Sequence, residues 1–133
     1  ALLTFVIKPR LYRAIKGVPL LDEQNIACYD EVPQSIRCDF TLRFSGNSME
    51  KLNINDGDIV YARIMEDVRS HEVAVVVVDH SLTLRRVYKN ESQIVLMAEN
   101  PSYAPVVLRA GSNVRILGKA VAFLNPNAAE NLF

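Results

Sequence analysis

The sequence has no excess of charge of either sign. Its 133 residues include 15 lysines and arginines against 15 aspartates and glutamates, so the formal net charge is zero. A domain that binds nucleic acid through its own surface typically carries a basic patch or a high pI. We therefore expect any DNA binding to come from a separate upstream domain. The chain starts at Ala1 rather than at methionine, which suggests a fragment or a processed chain.

Cysteine and long apolar runs are also scarce. The two cysteines, Cys28 and Cys38, have no CxxC spacing and no nearby histidine cluster, so no metal or other cofactor is predicted. We expect both to be free thiols in a reducing compartment, with the cytoplasm as the default location. No apolar run approaches the roughly 20 residues that span a bilayer. The apolar start of the chain lacks the basic residues of a signal peptide, so no membrane partner is expected.

What the sequence does contain is a series of short β-branched and apolar runs. They are separated by turn clusters such as Asp56-Gly57-Asp58 and Asn90-Glu91-Ser92, as is typical of strands joined by tight turns. Strands are predicted at residues 39–44, 59–64, 72–78, 81–88, 93–98, 105–108 and 114–124. Asp79-His80 is predicted to close a hairpin between the third and fourth of these. Helix-like patterns are short, at residues 48–52 and 10–15. The sequence thus predicts a mainly β fold of short, bent strands.

A serine lies in a turn that follows the first predicted strand. Gly46-Asn47-Ser48-Met49 comes after the alternating stretch Phe40-Thr41-Leu42-Arg43-Phe44. A serine between a strand and a turn can expose its hydroxyl while nearby backbone N–H groups stay free to hold an oxyanion. Because Gly-x-Ser is common in turns, this pattern alone is weak evidence for a nucleophile.

Several ordered motifs resemble a known family. Phe44-Ser45-Gly46-Asn47-Ser48-Met49 is followed by Asn55-Asp56-Gly57-Asp58-Ile59-Val60 and by Leu82-Thr83-Leu84-Arg85-Arg86-Val87. Further on stand Glu99-Asn100-Pro101-Ser102-Tyr103-Ala104-Pro105 and Ile116-Leu117-Gly118-Lys119. Together they resemble the landmarks of the self-cleaving serine peptidase family of the LexA and phage cI repressors and the mutagenesis protein UmuD. The resemblance runs from Gly17 to Leu124, most of the chain.

The resemblance implies a Ser–Lys dyad with Ser48 as its nucleophile. In the family, a lysine buried beside the serine loses its charge and acts as general base. Here Arg85 stands at the position of that lysine. Because a guanidinium stays protonated at ordinary pH, Arg85 cannot take the serine proton, although it can hydrogen-bond the hydroxyl. The backbone N–H groups of Asn47 and Ser48 are implied as oxyanion donors, a role that needs no particular side chain.

The resemblance also implies a cleavage segment and a domain organisation. The family cuts itself at a bond between small residues, just before a Val/Ile/Phe-Pro pair, and Ala14-Ile15-Lys16-Gly17-Val18-Pro19-Leu20-Leu21 matches that segment. The bond would be Lys16-Gly17, where a long charged side chain replaces a methyl group and is costly to bury. We expect residues 1–16 to form an arm or linker with the cleavage segment at its end. Residues 17–125 are expected to form the LexA-like peptidase and dimerisation domain, and residues 126–133 a loose tail.

Other polar patterns have plainer explanations. Asp56 and Asp58 resemble an acid pair or a metal site, but a tight turn with side-chain caps explains them better. Asp79-His80-Ser81 resembles a Ser-His-Asp set, but adjacent residues cannot converge on one substrate. Arg85 and Arg86 must point to opposite faces of their strand, and the alignment of the motifs favours Arg85 as the inward-facing one.

Three functions are compatible with these motifs. The first is the C-terminal regulatory and dimerisation domain of a LexA/cI-like transcriptional repressor, with self-cleavage impaired by Arg85 and Lys16. The resemblance implies a homodimer paired around residues 114–124, DNA contact only through an upstream domain, and induction by a RecA–single-strand DNA filament or an antirepressor. The second is a UmuD-like accessory protein of a translesion polymerase. The third is a non-enzymatic dimerisation module with the same fold, in which Ser48 is idle.

Overall fold

Within residues 4–126, which the computed structural model describes, the chain forms one mixed sheet of nine strands. Every neighbouring pair is antiparallel except β1 and β3, which run parallel, and the order across the sheet is β2-β1-β3-β4-β9-β5-β6-β7-β8. Two short 3-10 helices, Glu23–Asn25 and Glu50–Leu52, lie in the connections. In chain order the strands are β1 (Phe5–Leu11), β2 (Ile26–Pro33), β3 (Phe40–Arg43), β4 (Ile59–Ile64), β5 (Val73–Val78), β6 (Ser81–Lys89), β7 (Ile94–Met97), β8 (Val106–Val107) and β9 (Val114–Leu124).

Strand β5 lies at the centre of the core because both of its faces are apolar. Its continuous run of valine and alanine is typical of a strand that is covered on both sides. Val75 and Val77 pack into one apolar cluster, and Ala74 and Val76 pack into a second cluster. Since successive side chains of a strand point to opposite faces, the two clusters lie on the two sides of β5. The neighbouring strands β6 and β9 are therefore fixed against both clusters.

The mainly β fold predicted from the sequence is confirmed. The strands predicted at residues 59–64 and 114–124 match β4 and β9, and the other five predicted strands differ from β3, β5, β6, β7 and β8 by a single residue at one or both ends. β5 and β6 form the predicted hairpin, in which Val78 pairs with Ser81 across the Asp79-His80 turn. Asp79 has a φ of 49° in this turn, a conformation that aspartate tolerates better than most residues.

Strands β1 and β2 are absent from the predicted set. β1 lies inside residues 1–16, the segment expected to be an arm or linker, and pairs with β2 on one side and with β3 on the other. Pro9 conceals this strand in the sequence because proline cannot donate to a ladder. The parallel pairing with β3 begins immediately after Pro9, at Arg10.

The prediction of a helical turn at residues 10–15 is wrong. Arg10 and Leu11 complete β1, and residues 12–15 are not helical. The predicted tail, apart from Pro126, lies outside the described residues.

An ion pair ties the first three strands together. Arg10 on β1 donates from Nε and Nη2 to the two carboxylate oxygens of Asp30 on β2, at 2.8 and 2.7 Å. Thr41 on β3 donates its hydroxyl to the same carboxylate at 2.7 Å. A bidentate arginine–carboxylate pair has a fixed geometry, so this network sets the position of β3, the strand that leads to Ser48.

Both cysteines are free thiols. Cys28 is exposed on β2, whereas Cys38 is buried just before β3. Burial raises the pKa of the Cys38 thiol, which keeps it protonated and unreactive at neutral pH.

None of the helices in residues 4–126 is long and apolar enough to cross a membrane.

Gly118 in β9 permits a close approach to β4 and generates the first prediction. A Cβ atom at this position would lie 2.1 Å from the carbonyl oxygen of Arg63. Because that oxygen belongs to the backbone of β4 and cannot move aside freely, we expect Gly118→Ala to lower the free energy of unfolding by about 2–3 kcal/mol. Urea unfolding followed by circular dichroism measures the change. Arg115→Ala, at an exposed position of the same strand, should change it by less than about 0.5 kcal/mol. Equal stability of the two variants would contradict the close approach.

Candidate functional site

Ser48 lies in the loop between β3 and β4. The Phe44 N–H donates to the carbonyl of Asp58 at 2.8 Å, which closes the base of the loop. Gly46 has a φ of 87°, a conformation open to glycine because it lacks a Cβ atom. Met49, next to the serine, is fully buried in the core and anchors the loop there. The local sequence therefore turns the chain sharply and presses Ser48 against the sheet.

The carboxylates of Asp56 and Asp58 cap backbone N–H groups, as the turn interpretation predicts. Asp56 Oδ1 accepts from the Gly46 N–H at 2.8 Å, and Asp58 Oδ2 accepts from the Asn55 N–H at 2.8 Å. These bonds stabilise the loop that carries Ser48. In the part of the chain that the structure describes, no group of histidine, cysteine, aspartate and glutamate side chains is arranged to hold a metal ion.

The structure brings Ser48 and Arg85 together. Arg85 Nη1 donates to Ser48 Oγ at 3.0 Å, and Ser48 is only 4% exposed. Arg85 reaches the serine from β6, where it pairs with Ala74 of β5. Because a guanidinium only donates hydrogen bonds, this contact orients the hydroxyl without offering its proton an acceptor.

Further contacts fix the Arg85 side chain. Its Nη1 atom also donates to Thr83 Oγ1 at 3.1 Å and to the carbonyl of Leu84 at 2.7 Å. Its guanidinium carbon lies 5.5 Å from the ring centroid of Tyr103, within the range of a cation–π contact. Partial burial lowers the pKa of Arg85, but the ordinary pKa of a guanidinium is so high that the group stays charged at neutral pH. A fixed cation therefore lies beside the serine.

The loop after β7 fixes Asn47 and, through it, the Ser48 N–H. Buried Asn100 donates from Nδ2 to the Asn47 carbonyl at 3.0 Å, and Tyr103 donates its hydroxyl to Asn47 Oδ1 at 2.7 Å. The Asn47 carbonyl and the Ser48 N–H belong to one planar peptide unit, so holding the oxygen also orients the N–H. Among residues 4–126, no acceptor is paired with the N–H of Asn47 or of Ser48. Both groups are therefore available to donate to an anion.

Arg86, the neighbour of Arg85, lies on the other face of β6. It forms an ion pair with Glu99 and donates from Nη1 to the carbonyl of His71. The alternation of side chains along a strand predicts this separation, and the structure agrees with the expectation that Arg85, not Arg86, faces Ser48.

The structure does not bring the Lys16-Gly17 bond to Ser48. Just before it, the Ala14 N–H donates to the carbonyl of His80 at 2.9 Å, and the Ala14 carbonyl lies 3.3 Å from His80 Nδ1. His80 is in the β5–β6 turn, about 16 Å along β6 from Arg85 at roughly 3.3 Å per residue. Lys16-Gly17 is exposed and lies near this end of the hairpin, away from the serine.

Asn25 holds the backbone on both sides of that bond. Its side chain is fully buried. Its Oδ1 accepts from the Ile15 N–H at 3.1 Å, and its Nδ2 donates to the carbonyls of Pro19 and Leu20 at 3.3 and 3.1 Å. The Asn25 side chain thus provides hydrogen-bond partners for three backbone groups of residues 15–20 and fixes the path of this segment.

Four residues of this arrangement were missed by reading the sequence: Asn25, Thr83, Asn100 and Tyr103. Thr83 does have a signal, since it lies two positions before Arg85 and hence on the same face of the strand. Asn100 and Tyr103 belong to one of the motifs that carry the family resemblance, which assigns them no separate role. Asn25 has no signal in a single sequence, because its partners follow from the course of the loop and not from a spacing.

Comparison with known proteins gives a family match over most of the chain. Residues 9–121 match the Peptidase S24-like family. The chain is 38% identical over 103 residues to the LexA repressor of Erwinia tasmaniensis. This aligned stretch covers 75% of this chain and 51% of that protein. It is 36% identical over 103 residues to the LexA repressors of Pectobacterium carotovorum subsp. carotovorum and Photobacterium profundum, covering 75% of this chain and 51% and 54% of those proteins. The chain thus spans about half the length of the curated relatives it matches.

The contacts of Asn25 generate a prediction about the segment that contains Lys16. We expect Asn25→Ala to lower the free energy of unfolding by about 2–3 kcal/mol, because three partly buried hydrogen bonds of the segment are lost. Added trypsin should then cut after Lys16 faster than in the parent, which limited digestion and intact mass would measure. Gln24→Ala, at an exposed position beside it, should leave the rate unchanged. An unchanged rate in Asn25→Ala would mean that other contacts hold the segment.

Proposed function

This chain belongs to the Peptidase S24-like family, and we propose from that premise that it is the C-terminal regulatory and dimerisation domain of a LexA-like transcriptional repressor. In this proposal its self-cleavage is impaired. The observation that carries the proposal is the 3.0 Å hydrogen bond from Arg85 Nη1 to the buried Ser48 hydroxyl. Arg85 contacts the serine where a Ser–Lys dyad would have its lysine, but it is a permanent cation and not a base.

Ser48 is proposed to occupy the nucleophile position. A seryl hydroxyl becomes a nucleophile when an adjacent base removes its proton. A lysine in this half-buried place can lose its own proton and serve as that base, whereas Arg85 retains its charge. The backbone N–H groups of Asn47 and Ser48 would stabilise the oxyanion of the tetrahedral intermediate. All parts of the dyad chemistry except proton transfer are thus supported by the geometry of these residues.

The proposed cleavage bond is Lys16-Gly17, and two features oppose its cleavage. The segment would have to release its hydrogen bonds to Asn25 and His80 before it could reach Ser48. The Lys16 ammonium would then lose water without gaining a carboxylate partner. These features support a repressor that is constitutive or is relieved by a different signal, such as an antirepressor, instead of by a RecA–single-strand DNA filament.

A homodimer is proposed to form through the end of β9. β5 pairs with β9 only as far as Lys119, whereas Ala120 and residues 122–124 pair with β4 on one side. No strand within residues 4–126 pairs with the other edge of this end, so it could pair with a second copy, and Val121, Phe123 and Leu124 are exposed. Pairing two copies would bring two upstream DNA-binding domains to adjacent half-sites and raise the affinity for an operator through effective concentration.

A non-enzymatic dimerisation module is the second candidate. It is favoured by the hydrogen bonds of Arg85 Nη1 to Ser48, Thr83 and Leu84, which hold the side chain as a structural element. In such a module Ser48 does not react, and restoring a base would not restore cleavage.

Restoring the base distinguishes the two candidates. We expect the double variant Arg85→Lys with Lys16→Ala to cut itself before Gly17, about 10²–10⁴-fold faster than the parent, because a neutral lysine supplies general-base catalysis. The rate should rise from about pH 7 to about pH 10 as the lysine loses its proton. Intact mass against time measures both.

Two controls accompany that measurement. Adding Ser48→Ala to the double variant should abolish the cut, and Arg86→Lys with Lys16→Ala should remain uncut because Arg86 lies on the opposite face. Failure of the double variant to cut at any of these pH values would favour the non-enzymatic module. Efficient cleavage of the parent at neutral pH would contradict the proposed impairment.

The dimer is tested at its proposed edge. We expect Phe123→Asp to weaken dimerisation at least about tenfold, because it places a charge in an apolar contact. Sedimentation velocity over a series of protein concentrations measures the equilibrium. Tyr29→Asp, at an even more exposed aromatic on the far edge strand β2, is the control and should leave the dimer intact. A parent that stays monomeric, or a dimer lost only in Tyr29→Asp, would overturn this interface.

A further inference from the structure

A cavity of about 230 Å³ lies beside Lys16, at the end of the β5–β6 hairpin. Its lining comes from three parts of the chain: the segment that contains Lys16, the Asp79-His80 turn, and the loop that leads into β9. A water molecule occupies about 30 Å³ in the liquid. The cavity is therefore large enough for a small ligand of several non-hydrogen atoms.

The floor of this cavity is apolar and joins the Lys16 segment to β5. Ala14 and Val77 line it and are only 1% and 2% exposed. Both side chains pack in the same apolar cluster, and the Ala14 N–H donates to the carbonyl of His80 at 2.9 Å. Because the segment itself forms one wall, the cavity has this shape only while the segment stays in this position.

Two cations line the cavity from opposite parts of the chain. Arg115 of β9 is paired with Val77 of β5, and paired residues lie on the same face of a sheet, so the Arg115 side chain lies on the face that carries the cavity floor. Lys16 lines the cavity from the segment, two residues after Ala14. The ion pairs within residues 4–126 use other cations: Arg10, Arg86, Lys89 and Lys119. Lys16 and Arg115 therefore have no carboxylate partner in that range.

The acid that lines the cavity is already engaged. Within residues 4–126, Asp79 is the one acidic residue of the lining, and its Oδ1 atom accepts from Asn113 Nδ2 at 2.7 Å. Its charge offsets one of the two cations, so the lining keeps a net positive charge. An anion between Lys16 and Arg115 would be attracted by both, and the guanidinium fork matches the oxygens of a phosphate or a carboxylate.

We propose that this cavity binds a small anionic molecule, through a phosphate or carboxylate group held between Lys16 and Arg115. The bound anion bridges the Lys16 segment and β9. Since the segment must leave this position before it can reach Ser48, the anion holds it away from the serine. This regulatory effect rests on the proposed cleavage bond, whereas the binding itself goes beyond the proposed function.

The binding test uses the intact chain labelled with ¹⁵N, at neutral pH and constant ionic strength. Glycerol 3-phosphate, malonate and glycerol are titrated in turn, and the backbone signals of Lys16 and Asn113 are followed by NMR. Saturable shifts with one or both anions, and none with glycerol, support the site. The anion that binds more tightly identifies the preferred group. No saturable shift with either anion, or equal shifts with glycerol and its phosphate, overturns the proposal.

Variants locate the binding at Arg115. Arg115→Gln should weaken binding of the anion at least about tenfold, since charge-assisted hydrogen bonds are replaced by neutral ones. Arg63→Gln removes an exposed arginine of the neighbouring strand β4 that does not line the cavity, and it should bind as the parent does. Unchanged affinity in Arg115→Gln overturns the site even if the anion binds.

Limited digestion with trypsin tests the bridge to Lys16. With the anion at ten times its Kd, about one chain in eleven is free, so cutting after Lys16 should slow about tenfold. Cutting after Arg69, exposed in the loop before β5, is the internal control and should not change. Arg115→Gln should lose the protection, and an unprotected Lys16 in the saturated parent overturns the bridge. Neither measurement needs self-cleavage, so this proposal and the Arg85→Lys test can fail separately.

Discussion

Burial of β5 on both faces determines how the parts of the site meet. A slip of one residue in its pairing with β6 or β9 would turn apolar side chains away from their clusters. Arg85 therefore leaves β6 at a point set by its pairing with Ala74. Ser48 follows β3, whose neighbour Phe44 packs in the same apolar cluster as Val75. The polar contact between Arg85 and Ser48 thus depends on the apolar packing beneath it.

The type of cation beside Ser48 decides what the site does chemically. Lysine and arginine share the sign of their charge, but only lysine can be driven to its neutral form by partial burial. With lysine, burial creates a base. With Arg85, burial leaves a permanent charge beside the hydroxyl. The residue type at this half-buried position thus decides whether Ser48 has a base beside it or only a fixed hydrogen-bond donor.

The sequence predicted the central and C-terminal strands well because their β-branched runs and turn residues are local signals. It also predicted which of two adjacent arginines faces the serine, since strand alternation and the motif order both bear on that choice. It missed β1 and β2, where Pro9 interrupts the strand pattern and long-range pairing forms the ladder. The sequence also could not predict the course of the segment that contains Lys16. Its contacts with Asn25 and His80 are long-range and form only when the sheet brings these residues together.

The end of β9, whose second edge has no partner strand within residues 4–126, has a geometric consequence for any dimer built on it. Two copies of one strand related by a two-fold axis pair antiparallel, so their sheets would join into one continuous sheet. Backbone hydrogen bonds would then dictate the relative orientation of the copies, and side chains such as Phe123 would set only the strength. β1 lies three strands from β9 in the sheet order, about 14 Å at the usual spacing between strands. The sheet would thus act as a spacer, and its width would set the separation of whatever precedes β1 in each copy.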